Sequence, residues 1–235
     1  MESWIASGRV TVNGAVATIG TRVSPEDTIR VGRRIVRRSA GERPPRVVLY
    51  HKPEGEIVSR ADPEERASVF ERLPHVHGGR WVSVGRLDYN TGGLLLFTTS
   101  GELANRMMHP RYGLEREYAV RILGQLNAGQ IARLKRGIAL DGDPARFSSV
   151  DDAGGEGANH WYRVVVSEGR NRVVRRMFAA LGVTVSRLMR VRFGSVQLPP
   201  RLKRGQWAEL EATDVTALLA ELEPRRVTSS RDRPG

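Results

Sequence analysis

The residues whose types and spacing could do chemistry lie between Val84 and Phe97. An apolar run ends at Gly85, Arg86-Leu87-Asp88 follows, and the polar turn Tyr89-Asn90-Thr91-Gly92-Gly93 leads into a second apolar run, Leu94-Leu95-Leu96-Phe97. Apolar segments this short, bounded by turn residues, read as buried strands. Asp88 therefore stands where a sheet passes into a loop, a place where a rigid scaffold presents functional groups. A carboxylate there can act as a nucleophile or a base. It can equally be a turn residue bonding its own backbone two positions on, and the local pattern leaves both open. A second constellation is cationic. The pattern predicts a helix over 171–181, in which Val173, Val174, Met177, Phe178 and Leu181 share one face. Arg172, Arg175 and Arg176 fall on the other side, and Arg170 sits at the N-terminal turn. Such a face is either merely solvated or the wall of a cleft that holds phosphates.

Composition favours an anionic partner. The 235 residues carry a formal charge of +12, and all but three of the 38 basic residues are arginine. Arginine makes planar, bidentate contacts with phosphate and stacks on bases, so nucleic acid is the simplest partner. The bias is local: between Arg163 and Arg204 there are eleven Lys or Arg and one acid, Glu168. The absence of Cys excludes disulfides, thiolate nucleophiles and cysteine zinc sites. The five His show no metal-ligand spacing, and His75 and His77 beside Gly78-Gly79 read as loop. Walker A, G-x-G-x-x-G and G-x-S-x-G patterns are missing, so nucleotide-cofactor and esterase chemistry have no foothold. Asp141, Asp143, Asp151 and Asp152 form the one local carboxylate cluster, but at turns, which argues against a metal-dependent nuclease. No apolar run approaches the roughly 20 residues of a membrane span, and no signal-peptide pattern opens the chain; a cytoplasmic protein is expected.

The elements that position these groups can be placed coarsely. Residues 1–38 read as a small β-rich module: a helix ending near Ser7, a strand over 9–12 turning at Asn13-Gly14, and strand pieces at Val23, Ile29, Val31 and Ile35. A polar, Pro-containing linker covers 39–46. The main domain is expected over 47–223, with a strand at 47–50, a short helix near 67–72, and a helix capped by Ser100 that stops at His109-Pro110. A strand follows over 117–123, then a helix opened by an Asn127/Gln130 capping box and stopped at Gly137. Ile138-Ala139-Leu140 and residues 145–150 flank a turn at Asp141-Gly142-Asp143. Strands at 161–167, 183–193 and 207–210 come next, and a last helix is capped by Thr213. Residues 224–235 read as a disordered tail. The order of elements gives α+β, with a mixed, largely antiparallel central sheet and flanking helices.

Gly-Arg-Leu-Asp at 85–88, followed by Asn-Thr-Gly-Gly-Leu-Leu, resembles the catalytic motif of the pseudouridine synthases, in the branch that modifies ribosomal RNA of both subunits. His109-Pro110, the strand Glu115-Arg116-Glu117-Tyr118-Ala119-Val120 and the block Glu168-Gly169-Arg170-Asn171-Arg172-Val173-Val174-Arg175-Arg176-Met177-Phe178 occur in the order that the family has. Several motifs in order, over roughly residues 9–223, are far more specific than one. Residues 154–162 resemble the large-subunit type in particular. The first 38 residues resemble the S4 RNA-binding domain without most of its helix pair, an expectation that puts the true start before Met1. Thr99-Ser100 stands where the family more usually has Asn-Asp.

The resemblance implies the pseudouridine synthase fold and isomerisation of one uridine, in 23S rRNA more than 16S, on free rRNA or an assembly intermediate, by a monomer without cofactor or metal. Asp88 would be the catalytic carboxylate. Tyr118 would stack on the uracil and assist proton transfer at C5. Arg175 would pair with Asp88, and Val174 would line the base pocket. Arg86, Arg170, Arg172 and Arg176 would hold RNA, Arg86 by filling the gap left by a flipped base or by gripping a phosphate. Lys52, in the Lys-Pro step of the family's first motif, would be structural or a general RNA contact. The competing expectation is a non-catalytic ribosomal RNA-binding or assembly factor with the same basic cleft. It has no use for a carboxylate facing phosphates, where such a charge is electrostatically unfavourable.

Overall fold

The computed structural model describes residues 2–24, 26–36 and 45–222. The expected linker lies largely, and the expected tail wholly beyond Leu222, outside the described residues. The chain divides into two compact units, one up to Arg43 and one from Pro44 onward. In the first, α1 (Glu2–Ala6) precedes β1 (Val10–Val12), β2 (Ala15–Val16), β3 (Ile29–Val31) and β4 (Arg34–Val36), which pair antiparallel in the order β2-β1-β3-β4. Asn13 and Gly14 both take positive φ, 52° and 88°, as a two-residue hairpin turn demands. Val23 is not in a strand. The Asp27 carboxylate accepts from the backbone N–H of Ser24 and the side chain of Asn13, so this stretch is a loop closed on itself.

The second unit is built on β5 (Val47–Lys52), β6 (Val82–Val84), β7 (Gly92–Thr98), α2 (Gly101–Met108), β8 (Arg116–Leu123), α3 (Ala128–Arg136), β9 (Ile138–Leu140), β10 (Asp143–Ala145), β11 (Ser149–Glu156), β12 (Asn159–Val166), α4 (Val173–Ala179), β13 (Val185–Phe193), β14 (Val196–Gln197), β15 (Trp207–Glu209) and α5 (Ala212–Glu221). Its main sheet runs β11-β12-β8-β13-β7-β5-β15, with β6 paired to β7 and β14 to β13. Each pairing is antiparallel except β13 with β7, where Met189 and Arg190 lie beside Gly92 and Gly93. The fold is thus α+β on a mixed, largely antiparallel sheet, as the order of elements predicts.

Strand alternation decides what each face does. On one face Tyr118, Val120, Ile122, Leu95 and Phe97 pack with Leu134 of α3 and with Val173, Val174, Met177 and Phe178 of α4. On the other, Leu94 and Leu96 pack with Leu103 and Met107 of α2 and with Val215 and Leu218 of α5. That second cluster stops at β7 and β13. Beyond it the reverse face of β8 and β12 is only half-buried or exposed at Ala119, Arg121, Trp161 and Arg163. No helix among the described residues is long and apolar enough to cross a membrane.

Several local expectations are corrected. The arginine-bearing helix is shorter than 171–181, because Arg172 is its N-cap residue and is left-handed (φ 50°). Arg170 and Arg172 therefore sit on the loop that feeds the helix. Thr213 lies inside α5, whose N-cap is Glu211 with no side-chain cap bond. The helix near 67–72 is a single 3-10 turn, Val69–Arg72, closed by a Ser68/Glu71 capping box. The turn after β9 is Asp141-Gly142, since Asp143 already begins β10.

Candidate active site

Asp88 is positioned by a chain reversal between β6 and β7. Gly85 leaves β6 with φ 74°, which only glycine adopts freely, and its N–H points at the Met108 sulfur, 2.9 Å away. Leu87 is buried in the core, which anchors the segment and turns its neighbours Arg86 and Asp88 outward into one cleft. The turn closes through the Thr91 N–H donating to the Asp88 carbonyl at 3.0 Å. Among the described residues the Asp88 carboxylate makes no hydrogen bond to this turn, so the plain turn role is not what it performs. Its charged neighbour is Arg172, with Nη1 3.6 Å from Oδ2.

Arg175, the expected partner, makes no ion pair with Asp88. It donates to the Asn90 carbonyl and to the Val185 carbonyl, each at 2.8 Å, and so clamps the Asp88 loop to β13. Burial pulls its guanidinium below the usual value and Arg172 adds to that, against Asp88 and Glu54. Arg176 is turned away, 2.6 Å from Asp141 on the β9–β10 turn. Arg170 lines the cleft but is bound to Glu168 and, at 2.9 Å, to the Pro144 carbonyl. Val174 and Tyr118 are buried and both reach the cleft wall. Arg86 is exposed at the rim, with no charged partner among the described residues.

The cleft has a volume of about 490 Å³, and Asp88 is its one acidic side chain against five arginines: Arg86, Arg116, Arg170, Arg172 and Arg190. Arg116 and Arg190, which sequence reasoning did not single out, form its floor. Arg190 is 2% exposed and is the cross-strand partner of Tyr118. Its Nε donates to the Leu94 carbonyl at 2.8 Å, while its buried Nη2 has no partner. Arg116 donates to the carbonyls of Leu114 and Ser167. Their guanidinium carbons lie 4.9 Å and 5.0 Å from the Phe193 ring centroid, within cation–π range. Burial pulls Arg190 below its ordinary pKa, with the Tyr118 hydroxyl countering. The signal was present in the sequence: 116 and 118 share a face of β8, so an inward Tyr118 brings Arg116 inward too.

Lys52 is fully buried and its ammonium is spent on the Asp88 loop. Nζ donates to the carbonyls of Thr91 (2.9 Å), Pro53 (3.0 Å), Asp88 (3.1 Å) and Tyr89 (3.5 Å). Burial pushes its pKa down to about 8, opposed by Glu56, Asp88 and Glu54. Lys52→Met keeps the shape and removes every donor. The Asp88 and Tyr89 carbonyls retain backbone donors from Thr91 and Gly55, but those of Pro53 and Thr91 lose theirs, at about 1–3 kcal/mol each. A melting curve should show a loss of several degrees, and any turnover that depends on the Asp88 loop should fall by more than tenfold at a temperature where the variant is folded. Full activity in a folded Lys52→Met protein would show that the loop does not depend on it.

Residues 46–180 match the family described as RNA pseudouridylate synthase. The chain is 53% identical over 224 residues to the ribosomal large subunit pseudouridine synthase B of Pseudomonas aeruginosa, an alignment covering 94% of this chain and 58% of that protein. It is 51% identical over 241 residues to the protein of the same name from Salmonella typhimurium, covering 99% of this chain and 83% of that one. A crystal structure of a pseudouridylate synthase superposes with a TM-score of 0.66 at 27% identity, over 92% of this chain and 91% of that chain.

Proposed function

The chain belongs to the RNA pseudouridylate synthase family, and we propose that it isomerises one uridine of 23S ribosomal RNA to pseudouridine with Asp88 as the catalytic carboxylate. The observation that carries the assignment is a cleft whose one carboxylate faces five arginines. The arginines fit an RNA backbone, and a lone acid among them is unfavourable for binding alone but is the group this isomerisation requires. The reaction breaks the N1–C1′ bond, turns the uracil and joins C5 to C1′. The proton lost from C5 balances the one gained at N1, so no oxidant or group donor enters.

In this reading the base leaves the RNA stack and slides between Tyr118 and Val174. Asp88 acts on the ribose or the base, and Tyr118 moves the C5 proton. Arg172 faces the carboxylate at 3.6 Å, and Arg175 fixes the loop that carries it. Arg86 fills the space left by the flipped base, while Arg170 and Arg176, both ion-paired at present, exchange those partners for phosphates. The first 38 residues serve as an RNA-binding module of the S4 kind, joined by 39–46 to a catalytic domain over 47–223. The relatives' names support the 23S target, although the chain spans 58% of the Pseudomonas protein. We place its action in the cytoplasm, as a monomer, on rRNA or an assembly intermediate.

Carbodiimide mapping of pseudouridines in 23S and 16S rRNA tests this directly. A strain lacking the gene should lose a single 23S signal, and the intact gene should restore it. If every signal survives the deletion, the rRNA isomerase reading fails and a binding or assembly role takes its place.

A further inference from the structure

The reverse face of the sheet carries a second hollow directly behind the catalytic loop, of about 170 Å³. Gly92 and Gly93, the first residues of β7, line it. Trp161 of β12 and Arg187 and Met189 of β13 make one wall; His51 of β5 and Arg204 make the other. Leu188 lies in the walls of both this hollow and the catalytic cleft, so the two flank the same stretch of loop and strand.

The hollow is lined by an aromatic ring and by arginines. Trp161 is half-buried, with Arg121 held beside it, 5.9 Å from guanidinium carbon to ring centroid. Arg121 donates to the Ser186 hydroxyl, and among the described residues Arg121, Arg187 and Arg204 have no carboxylate partner. The open face has other arginines, but Arg163 and Arg192 are committed to Glu117 and Glu115. Glu54, the one acid lining the hollow, is balanced by Lys52 and Arg175, on which it acts. The His51 ring is held by Nδ1 donating to the Leu202 carbonyl at 2.7 Å, and its buried Nε2 has no partner. Cations without carboxylate partners beside a flat aromatic ring together suit a phosphate and a base, and suit neither a purely apolar nor a cationic ligand.

We propose that this hollow binds a single-stranded nucleotide of the RNA substrate that flanks the target uridine, its base against Trp161 and its phosphate between Arg187 and Arg204. The RNA then straddles the Asp88 loop, with the flipped uridine in the cleft on one side and the flanking nucleotide behind it. This rests on the chain acting on RNA, as proposed above.

The test uses the full chain and an RNA stem–loop carrying the mapped uridine, made with and without its single-stranded flanks. Stacking on one aromatic side chain accounts for 1–3 kcal/mol per base, so Trp161→Ala should weaken binding of the flanked RNA by about tenfold. Trp161→Phe, which keeps a ring, should recover most of it. Arg187→Gln with Arg204→Gln should make binding less salt-dependent, lowering the log–log slope by about 1–2. The losses should appear in KM rather than kcat, and the trimmed RNA should bind all variants alike. Equal affinity of wild type and variants for the flanked RNA, or the same loss on the trimmed RNA, would overturn the proposal and leave this face to a protein partner. Wild type that isomerises no uridine in any RNA would instead sink the assignment of function.

Discussion

Asp88→Asn should lower the single-turnover rate of isomerisation by about four orders of magnitude or more, the scale seen when a reacting side chain is removed from an otherwise intact site. Asparagine fills the same volume and leaves Leu87 in the core and the Thr91 N–H on the residue-88 carbonyl. What it lacks is the charge and the nucleophilic oxygen. Arg172 loses the ion pair at 3.6 Å, and five arginines lose the one acid that opposes an RNA phosphate in the cleft. RNA affinity should therefore hold or rise slightly while the rate collapses. Release of tritium from C5-labelled uridine in RNA measures the rate, and filter binding measures the affinity. Residual turnover within tenfold of wild type would mean that another group does the chemistry, and weaker binding would mean that Asp88 orders the cleft instead.

Gly93→Ala is the substitution expected to damage the fold most. Gly93 is buried with φ +100°, and an added Cβ would lie 2.2 Å from the Arg190 carbonyl oxygen, 2.6 Å from its nitrogen and 2.8 Å from Met189 Cγ. Two of these atoms are backbone and cannot rotate aside. They belong to the Met189–Gly92 and Arg190–Gly93 pairing, the one parallel seam in the sheet. Relief requires prising β13 from β7, which breaks the Arg190 bond to the Leu94 carbonyl and opens the cleft floor. A loss above about 4 kcal/mol follows, the range reserved for strain and core disruption together. Gly101→Ala is the matched control. It lies at the start of α2 with nothing within 4 Å of the new methyl, and alanine there should be neutral or stabilising. Chemical denaturation of both variants checks this, and a Gly93→Ala protein as stable as wild type would show that the seam can relax.

Much of the site's scaffold was legible because its signals are local. Asn13-Gly14 announces a hairpin, Asn127 and Gln130 a capping box, Ser100 a cap, and the apolar runs around Asp88 two strands. The illegible parts depend on distant chain. Arg172 reads as one more helical arginine, yet its left-handed conformation swings it toward Asp88 and leaves Arg175 to hold Asn90. Lys52 reads as structural or as a general RNA contact, but its burial is not legible, because the carbonyls that make it tolerable come from a loop 36 to 39 positions further on. Arg190 shares the same difficulty: arginines are almost never fully buried, and only its register against Tyr118 turns it inward.

The parallel seam also has a kinetic meaning. Strands β5 and β7 pair on one side of the seam, and β11 and β12 form a hairpin whose second strand pairs with β8 on the other. Joining the two halves requires Arg190 to find Leu94, 96 positions away. Loop-closure entropy for that contact must be met before the contact returns anything, which slows folding. The cleft floor comes from β8 and β13, and Asp88 from the approach to β7. The cleft is therefore completed only when this closure occurs: a nascent or partly folded chain can present its arginines to RNA before it holds a reactive centre, and the order of assembly keeps chemistry for the finished fold.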